Sequence, residues 1–68
     1  MDERIKRMAA RLVELRGEKT LDEVAKALGI SVSALCMYEN ASRVPRDEVK
    51  IRIARFYNTG IESIFFNL

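Results

Sequence analysis

The sequence predicts an all-α fold, a compact bundle of five short helices. Three observations predict it. Apolar residues recur at three- and four-residue spacing along most of the chain. Residues that start and stop helices punctuate that pattern at short intervals. Proline is absent from every predicted helix interior, and no segment shows the period-two alternation of a half-buried strand.

The first helix runs roughly from Asp2 to Arg16, with Ile5, Met8, Ala9, Leu12 and Leu15 on one face. Asp2 and Glu3 stand at its start, where the helix dipole favours acids, and Gly17 ends it. Thr20 reads as the N-cap of a second helix, and Glu23 completes the T-x-x-E capping box. That helix ends at Leu28, with Gly29 as the left-handed residue. Ser31 caps a third helix that extends to about Glu39. Residues Asn40 to Val44 form a loop. Pro45 stands at or just before the first turn of a fourth helix, and Asp47 and Glu48 suit its positive end. This helix carries Val49, Ile53, Ala54, Phe56 and Tyr57 and stops at Asn58. Gly60 opens a final short helix, Ile61 to Phe66.

The second and third helices form the most informative stretch, TLDEVAKALGISVSALCMY. Ala25 sits where the two must lie almost in contact, so only a small side chain fits there. Gly29 follows four residues later, and Val24, Leu28, Ile30, Leu35 and Tyr38 supply apolar contacts on both sides of the corner. That register describes a helix-turn-helix, which presents its second helix to the major groove of DNA.

Bulk properties bound the remaining possibilities. At 68 residues the chain is expected to be one domain, residues 1–68. A core this small calls for tight helix packing, oligomerisation or both. The net charge of +2 permits nucleic-acid binding without demanding it. Its distribution says more: Arg43, Arg46, Lys50, Arg52 and Arg55 crowd one segment against only Asp47 and Glu48. With one cysteine and no histidine, an intrachain disulfide, a Cys/His zinc site and a His-assisted nucleophile are all excluded. No paired carboxylates or Gly-rich phosphate loop stand out, so neither an enzyme nor a cofactor is expected. No run is apolar enough to span a bilayer, and the N-terminus lacks a signal-like apolar region, which predicts a cytoplasmic location.

The order T-x-x-E-V-A-x-x-L-G-I-S, followed by Leu35, Tyr38-Glu39-Asn40, Pro45 and Ile53-Ala54, resembles the Cro/cI-type (XRE-like) DNA-binding family over nearly the whole chain. The resemblance implies a lambda-repressor-like domain. It also implies a transcription regulator that binds a pseudo-palindromic operator as a homodimer, most simply as a repressor. Three departures from the family's pattern stand out, the first being a short connection between the first two helices, which leaves the arginine partner of Glu39 open. Leu21 occupies a position where the family often has a phosphate-contacting Gln, and Ala41 a position where it often has Gly. Glu39 is expected to pair with a first-helix arginine, with Arg11 and Arg16 both open.

The family register places Val32, Ser33 and Met37 at base-reading positions, with Cys36 beside them. The set lacks the Arg, Asn and Gln that bond bidentately to purines. Val32 and Met37 suit thymine methyls, Ser33 suits either kind of base edge, and DNA shape is expected to supply the remaining discrimination. Thr20, Asn40, Ser42, Arg43 and Arg46 are the expected phosphate contacts. The competing reading of Val32 and Met37 is simple burial. That of Lys50, Arg52 and Arg55 is a solvated helix face. Cys36 invites a redox role, against the plainer reading of a small residue near the DNA-facing surface.

The last residues, IESIFFNL, carry more apolar surface than a short helix hides. Ile64 is expected to turn inward, leaving Phe65, Phe66 and Leu68, with Phe56, as a dimer interface. The alternative is that they cap the core of a monomer. Control by a small-molecule effector is not expected, since a chain this short has no room for a separate effector domain. A second class of function also fits, a helix-turn-helix scaffold that binds protein, such as an antitoxin or adaptor.

Overall fold

The computed structural model describes residues 2–66, all of them in helices or connecting turns. Four α-helices, α1 (Glu3–Arg16), α2 (Leu21–Leu28), α3 (Val32–Glu39) and α4 (Asp47–Phe56), precede a π-helical turn at Glu62–Phe66. Leu68 lies outside the described residues.

Each helix starts for a local chemical reason. Asp2 caps α1 by accepting from the Arg4 N–H at 2.9 Å. Thr20 and Glu23 close a complete capping box at α2: the Thr20 hydroxyl accepts from the Glu23 amide at 3.1 Å, and the Glu23 carboxylate accepts from the Thr20 amide at 2.9 Å. Ser31 caps α3 by accepting from the Ala34 amide at 3.0 Å. Each such cap stabilises its helix by about 1 kcal/mol. Arg46 stands at the N-cap of α4 without a side-chain cap bond, and Asp47 and Glu48 favour that end through the dipole instead.

Helices α2, α3 and α4 stop by one shared device. In each, a single residue takes the left-handed conformation and the next amide reaches back to a carbonyl five residues earlier, a Schellman closure. At α2 the pivot is Gly29 (φ 70°), with Ile30 donating to the Ala25 carbonyl at 3.0 Å. At α3 it is Ala41 (φ 67°), with Ser42 donating to the Met37 carbonyl at 2.9 Å. At α4 it is Asn58 (φ 51°), with Thr59 donating to the Ala54 carbonyl at 2.9 Å. Glycine adopts this conformation freely and asparagine tolerates it, whereas alanine does so at a cost of about 1–2 kcal/mol.

Two boundaries differ from the sequence expectation. The fourth helix ends at Phe56 rather than Asn58, because Asn58 turns left-handed. The final segment is a π-helical turn rather than an ordinary short helix from Ile61, and it buries Ile64.

The centre of the core takes one residue from each α-helix: Leu12, Val24, Leu35 and Ile53 are fully enclosed. Met8, Ala25, Leu28, Tyr38, Val49, Ala54 and Ile64 surround them. Burying each large aliphatic side chain stabilises the fold by about 1.5–3 kcal/mol. Ala25 is 1 % exposed, so the α2–α3 corner is closed over its methyl group.

Candidate nucleic-acid interface

Helix α3 divides cleanly into two faces. Leu35 and Tyr38 are buried, while Val32, Ser33 and Cys36 are exposed and Met37 is half-buried. Val32 and Met37 are therefore not core residues, and the reading of them as buried fails for Val32 outright. The first turn of α3 carries no acidic residue, so nothing on it repels a phosphate backbone.

The loop after α3 brings together most of the expected phosphate-contacting residues. Asn40, Ser42, Arg43 and Arg46 are all exposed. Asn40 shapes the loop through an Asx turn, its side-chain oxygen accepting from the Ser42 amide at 3.0 Å. That bond occupies the Ser42 amide but leaves the Ser42 hydroxyl and the Asn40 NH2 as donors. Arg46 lies 3.6 Å from Glu48, with both side chains mostly exposed. A pair so solvated is weak and is readily traded for a phosphate. No ion pair engages Arg43 among the described residues.

Thr20 is placed differently from its neighbours. It is exposed at the start of α2, but the capping box consumes its amide and the Glu23 amide. The first-turn donors left toward solvent are the Leu21 and Asp22 amides. The carboxylates of Asp22 and Glu23 stand in the same turn and oppose an incoming anion.

Three arginine and lysine side chains bond within the bundle. Arg16 Nε donates to both carboxylate oxygens of Glu39, at 3.0 and 2.8 Å, and Arg16 Nη1 donates to the Lys19 carbonyl at 2.8 Å. The bond from Glu39, with its negative charge, holds the Arg16 guanidinium above its ordinary pKa. Arg11 instead pairs with Glu14 at 2.7 Å, so Arg16 is the partner of Glu39. Arg52 Nη1 donates to the Leu28 carbonyl at 2.7 Å, tying α4 to the end of α2. Lys50 pairs with Asp47 at 3.7 Å and sits over the Phe65 and Phe66 rings at 5.7 and 5.0 Å. The solvated-face reading thus fails for Lys50; Arg52 is exposed yet tethered by its one bond, and Arg55 is exposed. Sequence held no signal for the Arg52 bond, whose partner is a backbone carbonyl 24 residues away.

Beside the Arg16–Glu39 pair lies Tyr57. Its hydroxyl is enclosed and has no hydrogen-bond partner among the described residues. Burial, then the negative field of Glu39, pushes its ionisation above the ordinary tyrosine range, and Arg16 opposes that shift.

The apolar residues near the C-terminus are only partly gathered. Phe65 is half-buried and Phe66 is 56 % exposed, and together they line a groove with Ile5, Met8, Val44 and Lys50. Phe56 stands about 120° around α4 from Lys50, given the helix's 3.6-residue turn, and packs edge-on against Tyr57 with ring centroids 5.0 Å apart. It does not line that groove.

Among the described residues no helix is long and apolar enough to cross a membrane, and no cluster of potential metal ligands occurs. A family model described as helix-turn-helix matches residues 9–64, which spans α2, α3 and all of α4. No curated protein and no solved structure matches the chain. The capped α2, the Gly29 corner, the outward-facing α3 and this match agree, and the chain belongs to the Cro/C1-type (XRE-like) helix-turn-helix family of DNA-binding regulators.

Proposed function

We propose that this protein is a sequence-specific transcriptional repressor that occupies a pseudo-palindromic operator as a homodimer. The observation that carries the reading is the two-faced α3. Val32, Ser33 and Cys36 project outward from a helix whose opposite side is locked into the core by Leu35 and Tyr38. Val32 and Met37 read thymine methyls, Ser33 bonds to a base edge, and Cys36 flanks them. Arg43, Arg46, Asn40 and Ser42 hold the phosphates after α3, and Thr20 does so before it through its hydroxyl and the amides of the first α2 turn.

Two copies join through the groove at Phe65 and Phe66, which spaces two α3 helices about one DNA turn apart. Repression follows from occupancy of a promoter, with protein concentration setting the response. The reading places the protein in the cytoplasm and gives it no catalytic role.

Selection of bound duplexes from a random pool tests these points together. The expected result is paired half-sites, T-rich where α3 enters the groove. Half-sites of G·C pairs alone overturn the base assignment. Failure to enrich any duplex, with a neighbouring gene's product co-purifying, favours the protein-binding scaffold instead.

A further inference from the structure

We infer that Arg52, which touches no base, is a positioning residue for DNA recognition: from α4 it fixes the corner that sets the angle of α3. The inference rests on the reading of α3 as the base-reading helix.

The geometry is a clamp at both ends of that helix. At its C-terminal end, Glu39 is held by Arg16 of α1. Just before its N-terminal end, the Leu28 carbonyl is held by Arg52 of α4 at 2.7 Å. The last carbonyls of a helix lack partners within it and carry the negative end of its dipole. A guanidinium there makes a charge-assisted bond and neutralises that end at once. The guanidinium also rests on the turn itself: a β-carbon added at Gly29 would stand only 3.3 Å from Arg52 Nη1. Between the two tethers the middle of α3 is anchored by the buried Leu35 and Tyr38, so the orientation of its two ends depends on the tethers. Release of the Arg52 tether frees the end that carries Val32 and Ser33, the end that must enter the groove.

Arg52 also borders a polar groove with Arg43 and Arg46, so the rival role is a phosphate contact. The two roles separate by salt dependence. A phosphate contact contributes about one unit to the slope of log affinity against log salt, and it acts on all sequences alike. A positioning residue contributes nothing to the slope and acts on the chosen operator alone.

The experiment compares wild type, Arg52→Met and Arg52→Lys by fluorescence anisotropy, on the selected operator and on a scrambled duplex, over a range of salt. Thermal unfolding of each variant establishes that it is folded at the assay temperature. Arg52→Met is expected to weaken operator binding about tenfold, the scale of one lost charge-assisted hydrogen bond. Binding to the scrambled duplex and the salt slope are expected to stay unchanged, with Arg52→Lys recovering part of the loss. A slope lowered by about one unit, with equal losses on both duplexes, overturns the assignment in favour of a phosphate contact. Unchanged operator affinity overturns it as well. Should Arg52→Met be unfolded, Arg52→Lys decides alone, since its ammonium lacks the guanidinium's planar fork. Partial loss of discrimination at constant slope then supports the role, and wild-type behaviour rejects it. Absence of DNA binding by the wild-type protein is a separate result, which overturns the base-reading assignment and this role with it.

Discussion

Arg16 and Glu39, 23 residues apart, join the end of α1 to the end of α3 through one N–H shared between two carboxylate oxygens. Only 7 % of the Glu39 side chain is exposed, so the charge is nearly out of water and depends on its partner. Arg16→Met strands that carboxylate. It is expected to lower stability by about 2–3 kcal/mol, read from urea unfolding, the scale of a lost bond between charged groups. Arg11→Met removes only an exposed neighbour pair and is expected to cost under about 0.5 kcal/mol. Equal losses in the two variants contradict the pairing.

The shared helix-stop device makes an ordered prediction. Gly29→Ala forces an alanine into the left-handed region and crowds Arg52, and it should destabilise by about 1–2 kcal/mol. Ala41→Gly relieves the same strain at the end of α3, against the loss of one buried methyl worth about 0.8 kcal/mol. A net gain of about 0.5 kcal/mol is expected from chemical denaturation. Destabilisation by Ala41→Gly shows that the methyl outweighs the strain.

Tyr57→Phe deletes an enclosed hydroxyl that has no partner among the described residues. Removing such a group is expected to be neutral or to stabilise by up to about 1 kcal/mol. The hydroxyl also has a pH signature. Because folding raises the Tyr57 pKa, the neutral form is favoured in the native state. Its contribution is complete below the unfolded tyrosine value near about pH 10 and is lost as pH rises through the higher folded value. Unfolding free energies of wild type and Tyr57→Phe, measured from neutral pH upward, should therefore differ progressively only above that point. Parallel curves at alkaline pH reject the assignment.

Arg43 carries the clearest electrostatic test. It is exposed on the loop after α3, and no ion pair holds it among the described residues. Arg43→Ala is expected to weaken binding to every duplex alike and to reduce the salt slope by about one unit. A sequence-selective loss at unchanged slope places Arg43 on a base instead.

The groove at Phe65 and Phe66 makes a prediction about assembly. Phe66 is the most exposed large apolar residue of the described chain. Phe66→Ser should shift sedimentation at micromolar concentration toward the monomer while leaving the thermal transition of the monomer near its original temperature. A wild-type protein that sediments as a monomer removes the basis for the dimer.

Most of the architecture was legible in the residues because the punctuation is local. Thr20 with Glu23, Ser31 with the following turn, and Gly29 each act within a few residues, so sequence spacing reveals them. The inward face of α3 was legible for the same reason. What sequence did not disclose depends on tertiary placement. Arg52 bonds to a backbone carbonyl, which leaves no complementary side chain to detect. The choice between Arg11 and Arg16 turns on helix phase, and only the packed bundle sets it. The left-handed pivots at Ala41 and Asn58 were hidden because the usual marker, glycine, is missing there. The apolar tail was recognisable by composition, yet its division into a Phe65–Phe66 groove and a separate Phe56 depends on the phase of α4, which turns Phe56 away from Lys50.

The exposure of Val32, Ser33 and Cys36 has an evolutionary corollary. These three positions touch the solvent side of a helix whose inner side alone secures the bundle, so exchanging them leaves the scaffold's thermodynamics nearly untouched. If these positions read bases as proposed, target preference drifts by single substitutions, and the domain serves as an interchangeable reading head on a fixed chassis.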